Sequence, residues 1–155
     1  MARFRFRLEV PLKLARIDRD RRRRELGELL RELAAVEEAL ARLDADEREW
    51  SRELAALVRE GETGAVLAGA ATLRERLRSR RPVLEDRRRK LAAREREARS
   101  ALADVTRQVK VLERLRREAR VRHLQEEAQR EAAEVEDLVL GRRRHLELAG
   151  MRGEG

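Results

Sequence analysis

The chain contains no cysteine, no tyrosine, one tryptophan and two phenylalanines among 155 residues. Without cysteine there is no disulfide framework and no thiolate chemistry, which is compatible with the cytosol. With three aromatic residues, Phe4, Phe6 and Trp50, no wide globular core can be filled. Proline is limited to Pro11 and Pro82. A long apolar run is missing too. The least polar stretch, "GAVLAGAATL" at 64–73, falls far short of the ~20 residues a membrane span needs. The opening "MARFRFRLEVPLKLA" is basic, but Glu9 and Lys13 break its apolar part, which argues against a signal peptide. The expectation is a soluble, cytoplasmic chain without membrane insertion.

What fills the space is charge. Charged residues make up 45% of the chain and apolar ones 41%, with a net charge of +8. Arg, Glu, Leu and Ala dominate, all good helix formers, and such a composition buries a narrow seam as a coiled coil does. From Leu26 the seam is regular: Leu29, Leu33, Val36, Leu40, Leu43, Glu47, Trp50, Leu54 and Leu57 follow in alternating steps of three and four. Upstream, Leu8, Leu12, Leu14 and Ile17 are its expected continuation, with Pro11 in the first helical turn. "REGETGA" at 59–65 ends the helix, with Gly61 suited to a left-handed C-cap and Thr63 to the next N-cap. A weaker seam follows through Leu73, Leu77, Leu84, Leu91, Ala98, Leu102, Val105, Val109 and Leu112. Pro82 kinks or breaks it. Beyond Leu112 a new register is expected, through Val121, Leu124, Ala128, Val135 and Leu138.

One short turn between two long helices predicts an antiparallel pair. Charge agrees: residues 25–60 carry net −6 and residues 61–100 net +6, so folding at Gly61 opposes them. The predicted fold is therefore all-α, a long antiparallel two-helix coiled-coil hairpin with an overhanging C-terminal helix. Its single domain spans 1–145, with helix 1 at about 10–58, a turn at 59–65 and helix 2 at about 66–145. A flexible tail at 146–155 follows. If paired positions sum to about 124, residues 117 to about 145 have no partner within the chain. The hairpin would be roughly 75 Å long, with an overhang of up to about 40 Å.

No catalytic constellation stands out. His123 and His145 are far apart, with no metal-ligand spacing, and read as solvated surface histidines. No glycine-rich loop cradles a phosphate, and carboxylates on a solvated helix pair have no pocket to shift them. The expectation is a binding or assembly protein, with no cofactor or metal and no enzymatic activity.

The run "DRDRRRREL" at 18–26 sits in a basic terminal stretch: residues 1–24 carry net +7 and residues 101–116 net +2. It reads as a solvated face, a dock for an acidic surface, or a phosphate-binding patch. The lack of interleaved aromatics and of a forked dimer argues against nucleic acid. Arg22 takes a seam position, which suggests loose packing there.

The N-terminal "FRFRLEVPLKLARIDRD", the charged helix with an aromatic before a glycine turn, and the late "LERLRREARVRHLQEEAQREAAEVEDL" together resemble the flagellar export protein FliJ family, over about 145 residues. The resemblance implies a non-enzymatic stalk of the flagellar type III export apparatus, similar to the central stalk subunit of rotary ATP synthases. Implied partners are the hexameric export ATPase, the cytoplasmic part of the membrane export gate, and export chaperones. The implied location is the cytoplasmic face of the inner membrane. Placed through the turn glycine, the gate and chaperone contacts become Leu43, Trp50, Leu73 and Leu77. The family usually has an aromatic at the Leu73 position. All four lie on predicted seams, and Trp50 fits either packing or contact. Charge and geometry nominate Arg21, Arg22, Arg23 and Arg24, with Val121, Leu124, Val135 and Leu138, for docking on the ATPase ring. Two rivals are the equivalent stalk of a virulence-type secretion system and a generic basic coiled coil. The generic one binds nucleic acid or self-assembles through residues 117–145 into a stable dimer, neither of which the stalk reading predicts.

Overall fold

A computed structural model describes residues 2–153 and is all-α, with two helices and no strand among them. Helix α1 runs Glu9–Arg59 and helix α2 Gly64–Gly153. Both begin within two residues of expectation. The end of α2 does not: the segment expected as a flexible tail from residue 146 is helical to Gly153. Pro82 leaves α2 uninterrupted, and its neighbours Arg81 and Leu84 stay half-buried on one face.

The turn forms as its residues dictate. Gly61 has φ 71°, the left-handed region that glycine enters without a Cβ penalty. The Glu62 N–H donates to the Leu57 carbonyl at 3.2 Å and the Gly61 N–H to Val58 at 3.3 Å. That double closure is the Schellman pattern, which satisfies carbonyls left over at the end of α1. Thr63 then opens α2, its carbonyl accepting the Leu67 N–H at 3.2 Å.

Contacts divide the chain into two units: Ile17–Thr106, and Met1–Arg16 with Arg107–Gly155. The first is an antiparallel helical hairpin. Its core holds Val36, Leu40 and Leu91, flanked by Leu29, Leu33 and Leu84. The seam read from Leu26 to Leu57 is the buried or half-buried face of α1 at every step, Glu47 and Trp50 included. On α2, Arg74, Arg81 and Glu95 take half-buried positions between the leucines, which is why that seam read as weak.

In the second unit, Leu12 is fully buried and Ala15 and Val109 nearly so. Two expectations are corrected here. Leu14 points outward, 61% exposed, and so does Ile17 at the start of the first unit, 62% exposed, because the seam steps from Leu12 to Ala15. Past Leu112 the seam of α2 keeps its register through Arg116, Ala119, His123 and Glu127, all half-buried. These residues are covered by the chain that precedes α1. Phe4, Phe6 and Leu8 are half-buried while Arg3, Arg5 and Arg7 are exposed, a two-residue alternation. Partners across α1 and α2 have numbers adding to 125–129, so pairing runs a few residues further along α2 than a sum of 124 implies. Because residues 2–8 also lie on α2, the unpartnered stretch begins near 128 rather than 117. From Ala128 to Gly153 every residue is exposed.

Candidate functional site

The nominated residues fall into three groups, and the two units divide them. The four gate and chaperone candidates lie together in the Ile17–Thr106 unit. Leu43, only 5% exposed, belongs to the hairpin core. Trp50 and Leu77 are half-buried, and Leu73 is 36% exposed. Each seam residue thus keeps an accessible edge except Leu43, whose side chain is spent on packing. Next to it runs an open groove lined by Ala35, Ala39, Leu43, Val83 and Leu84, with Arg42 and Arg80 at its rim.

Asp44, Glu47 and Arg81 form the polar layer of that hairpin. Arg81 donates to both carboxylates, reaching Glu47 Oε2 at 3.0 Å and Asp44 more closely. These hydrogen bonds, Asp44 first, hold the guanidinium proton even more tightly than usual. Glu47 Oε1 is buried without a hydrogen-bond partner. The charge opposition of the two arms is real in sequence but is converted into cross-helix bonds here chiefly at Arg81. Other bases of α2 pair along their own helix, Lys90 with Asp86 at 3.0 Å and Arg99 with Glu95.

Arg21, Arg22, Arg23 and Arg24 belong to the same unit. Arg22 is half-buried, in the seam position expected for it, and donates to Asp18 at 3.3 Å. Arg21 also reaches Asp18 at 3.3 Å, and Arg23 lies 3.9 Å from Asp20. Arg24 is exposed. The run is therefore a solvated surface whose charge is partly met by Asp18 and Asp20. Such exposed pairs contribute at most about 1 kcal/mol and leave the guanidinium groups available.

Val121, Leu124, Val135 and Leu138 lie in the other unit, 53%, 59%, 58% and 73% exposed. They are joined by Val139, Leu140, Leu146, Leu148 and Met151, each at least half exposed. The sequence reading missed Leu146, Leu148 and Met151 because it ended the helix near 145. The same unit holds the N-terminal clasp. Phe4 and His123 rings meet at 5.5 Å between centroids, tilted by 49°. His123 Nε2 lies 3.2 Å from the Ala2 carbonyl. Arg116 donates to Glu9 at 3.0 Å, and Arg16 to Glu113 at 3.1 Å. His123, expected as a solvated side chain, is instead a fastening point. Its only sequence signal was its place one turn beyond Ala119, on the same face of the helix.

Among the described residues, no group of three or more His, Asp or Glu side chains is placed to hold a metal ion. No described helix is long and apolar enough to cross a membrane. No family model, curated protein or solved structure matches the chain.

Proposed function

We propose that this chain is a non-enzymatic coiled-coil stalk of the flagellar type III export apparatus, acting at the cytoplasmic face of the inner membrane. One observation carries the reading. In the unit containing Arg107–Gly155, α2 has one face occupied by residues 2–16 and leaves Val121, Leu124, Val135 and Leu138 more than half exposed. An amphipathic helix with an uncovered apolar face is built to be covered by a partner. In this reading that partner is the hexameric export ATPase, and the work is mechanical coupling and ring promotion rather than covalent chemistry. Trp50, Leu73 and Leu77 are the contacts toward the export gate and the export chaperones, with Leu43 holding their helices together.

The test is ATP hydrolysis by the cognate flagellar export ATPase, with and without this chain. The expected result is stimulation that disappears when residues 128–155 are removed. Reversing Arg21, Arg23 and Arg24 to glutamate should weaken ATPase binding and flatten its dependence on salt. No stimulation under conditions where the ATPase forms rings would overturn the reading. Binding unchanged by the reversals would leave the arginines as a solvated surface only.

A further inference from the structure

The end of α2 has a charge order that the stalk reading does not use. Residues 131–137, "EAAEVED", carry four carboxylates and no base. Residues 142–144 are three arginines. Between them stands "LVLG", uncharged, with Leu138, Val139 and Leu140 exposed by 73%, 51% and 51%. An acid–apolar–base order on one helix is complementary to itself when the second copy runs the opposite way.

The helical spacing supports the same arrangement. Ala128, Ala132, Val135, Val139, Arg142 and Leu146 recur in steps of three and four, which places them on one stripe. All six are exposed. Ala128 borders the groove at Ala2 and Phe4, but from Ala132 onward the stripe is clear of the seam through Ala119, His123 and Glu127 and is free while the N-terminal clasp is closed.

We infer that this stripe is an isologous interface for a second copy of the chain, packed antiparallel about a two-fold axis at Val139. On that axis Val139 meets Val139 of the second copy. Ala132 then faces Leu146 of the second copy, a small residue against a large one. Glu136 faces Arg143 of the second copy on the flank of the stripe, and the two-fold repeats each contact. A parallel dimer opposes carboxylates to carboxylates and arginines to arginines, so charge selects the antiparallel one. The contact is short and rimmed by ion pairs. It therefore belongs with the small, reversible interfaces and differs from the constitutive dimer of a generic coiled coil. The inference does not rest on the stalk reading. Because Val135 and Leu138 lie in the same segment, a chain paired in this way withholds them from any other partner.

The test uses the full chain. Its mass is followed by analytical ultracentrifugation over roughly 1–200 µM, where a weak interface is half occupied. The expected result is a monomer–dimer equilibrium weakened by salt. Val139→Asp, at an exposed position that leaves the monomer intact, should raise the dissociation constant at least about tenfold. Glu136→Arg should weaken the dimer, and adding Arg143→Glu should restore it, since both contacts are reversed together. Because the chain has no cysteine, Val139→Cys under mild oxidation should trap a disulfide-linked dimer, whereas Val121→Cys should not. A chain monomeric throughout, a dimer indifferent to Val139→Asp, or cross-linking through Val121→Cys would each overturn the proposal. ATPase stimulation is read separately, so either result can fail without the other.

Discussion

Glu47 sits on the seam of α1 with one oxygen bound to Arg81 at 3.0 Å and the other buried without a partner. A half-satisfied carboxylate among Leu43, Trp50 and Leu54 costs more than an apolar side chain of similar size. Glu47→Leu is expected to stabilise the chain by roughly 1 kcal/mol, read as a higher midpoint in urea by circular dichroism. Arg81 keeps Asp44 in that variant. Because its folded-state pKa is raised, Arg81 contributes fully below its ordinary value and loses that contribution only as pH rises far above neutral. Between weak acid and weak base, stability should show no slope from this residue. The polar step at Glu47 could be read from spacing alone. Its partner could not, because Arg81 is one of twelve bases between 61 and 100 and only the pairing offset singles it out.

At the scale of elements, the turn is the most determined feature. Gly61 has no heavy atom within 4 Å of where a Cβ would sit, so alanine there meets no clash. It still has to hold φ 71°. Gly61→Ala is therefore expected to cost about 1 kcal/mol, while Gly61→Asn, which tolerates this region, costs less. Comparing the two by urea denaturation separates backbone strain from packing. The turn and the α1 seam followed directly from period and capping chemistry. The ends were harder to read for two physical reasons. Leu14 and Ile17 fit a heptad as well as Leu12 and Ala15 do, and only contact with α2 chooses between them. Phe-x-Phe-x-Leu carries a period of two, yet it covers a helix rather than pairing with a strand, so a coiled-coil template has no place for it.

For the whole molecule, the contrast between partnered and unpartnered helix should be visible in amide exchange. Helical hydrogen bonds not supported by packing open readily, since propensity alone leaves an isolated helix marginal. Amides of residues 128–153 are expected to exchange at least about tenfold faster than those around the Val36, Leu40 and Leu91 core, at concentrations where the chain is monomeric. Protection there should rise with protein concentration if the tail pairs with a second copy. The exposed apolar residues at 121, 124, 135 and 138 could be named from the sequence because they lie beyond the pairing expected for α1. Their neighbours beyond 145 could not, because Gly141 and Gly150 read as helix stops and the helix runs through both.

The clasp at the N-terminus has a consequence for how the chain folds. Bonded partners lie 34 residues apart at Arg81 and Glu47, 97 at Arg16 and Glu113, 107 at Arg116 and Glu9, and 121 at His123 and Ala2. Each step away from Gly61 closes a longer loop, and the entropy of closure grows with length unless the shorter loop is already shut. Folding should then proceed as a zipper that starts at the turn, with Phe4 meeting His123 last. In the reverse direction, thermal fluctuations release residues 2–8 before any of the other bonded pairs. During synthesis, residues 2–8 must also stay open until residue 123 has been made.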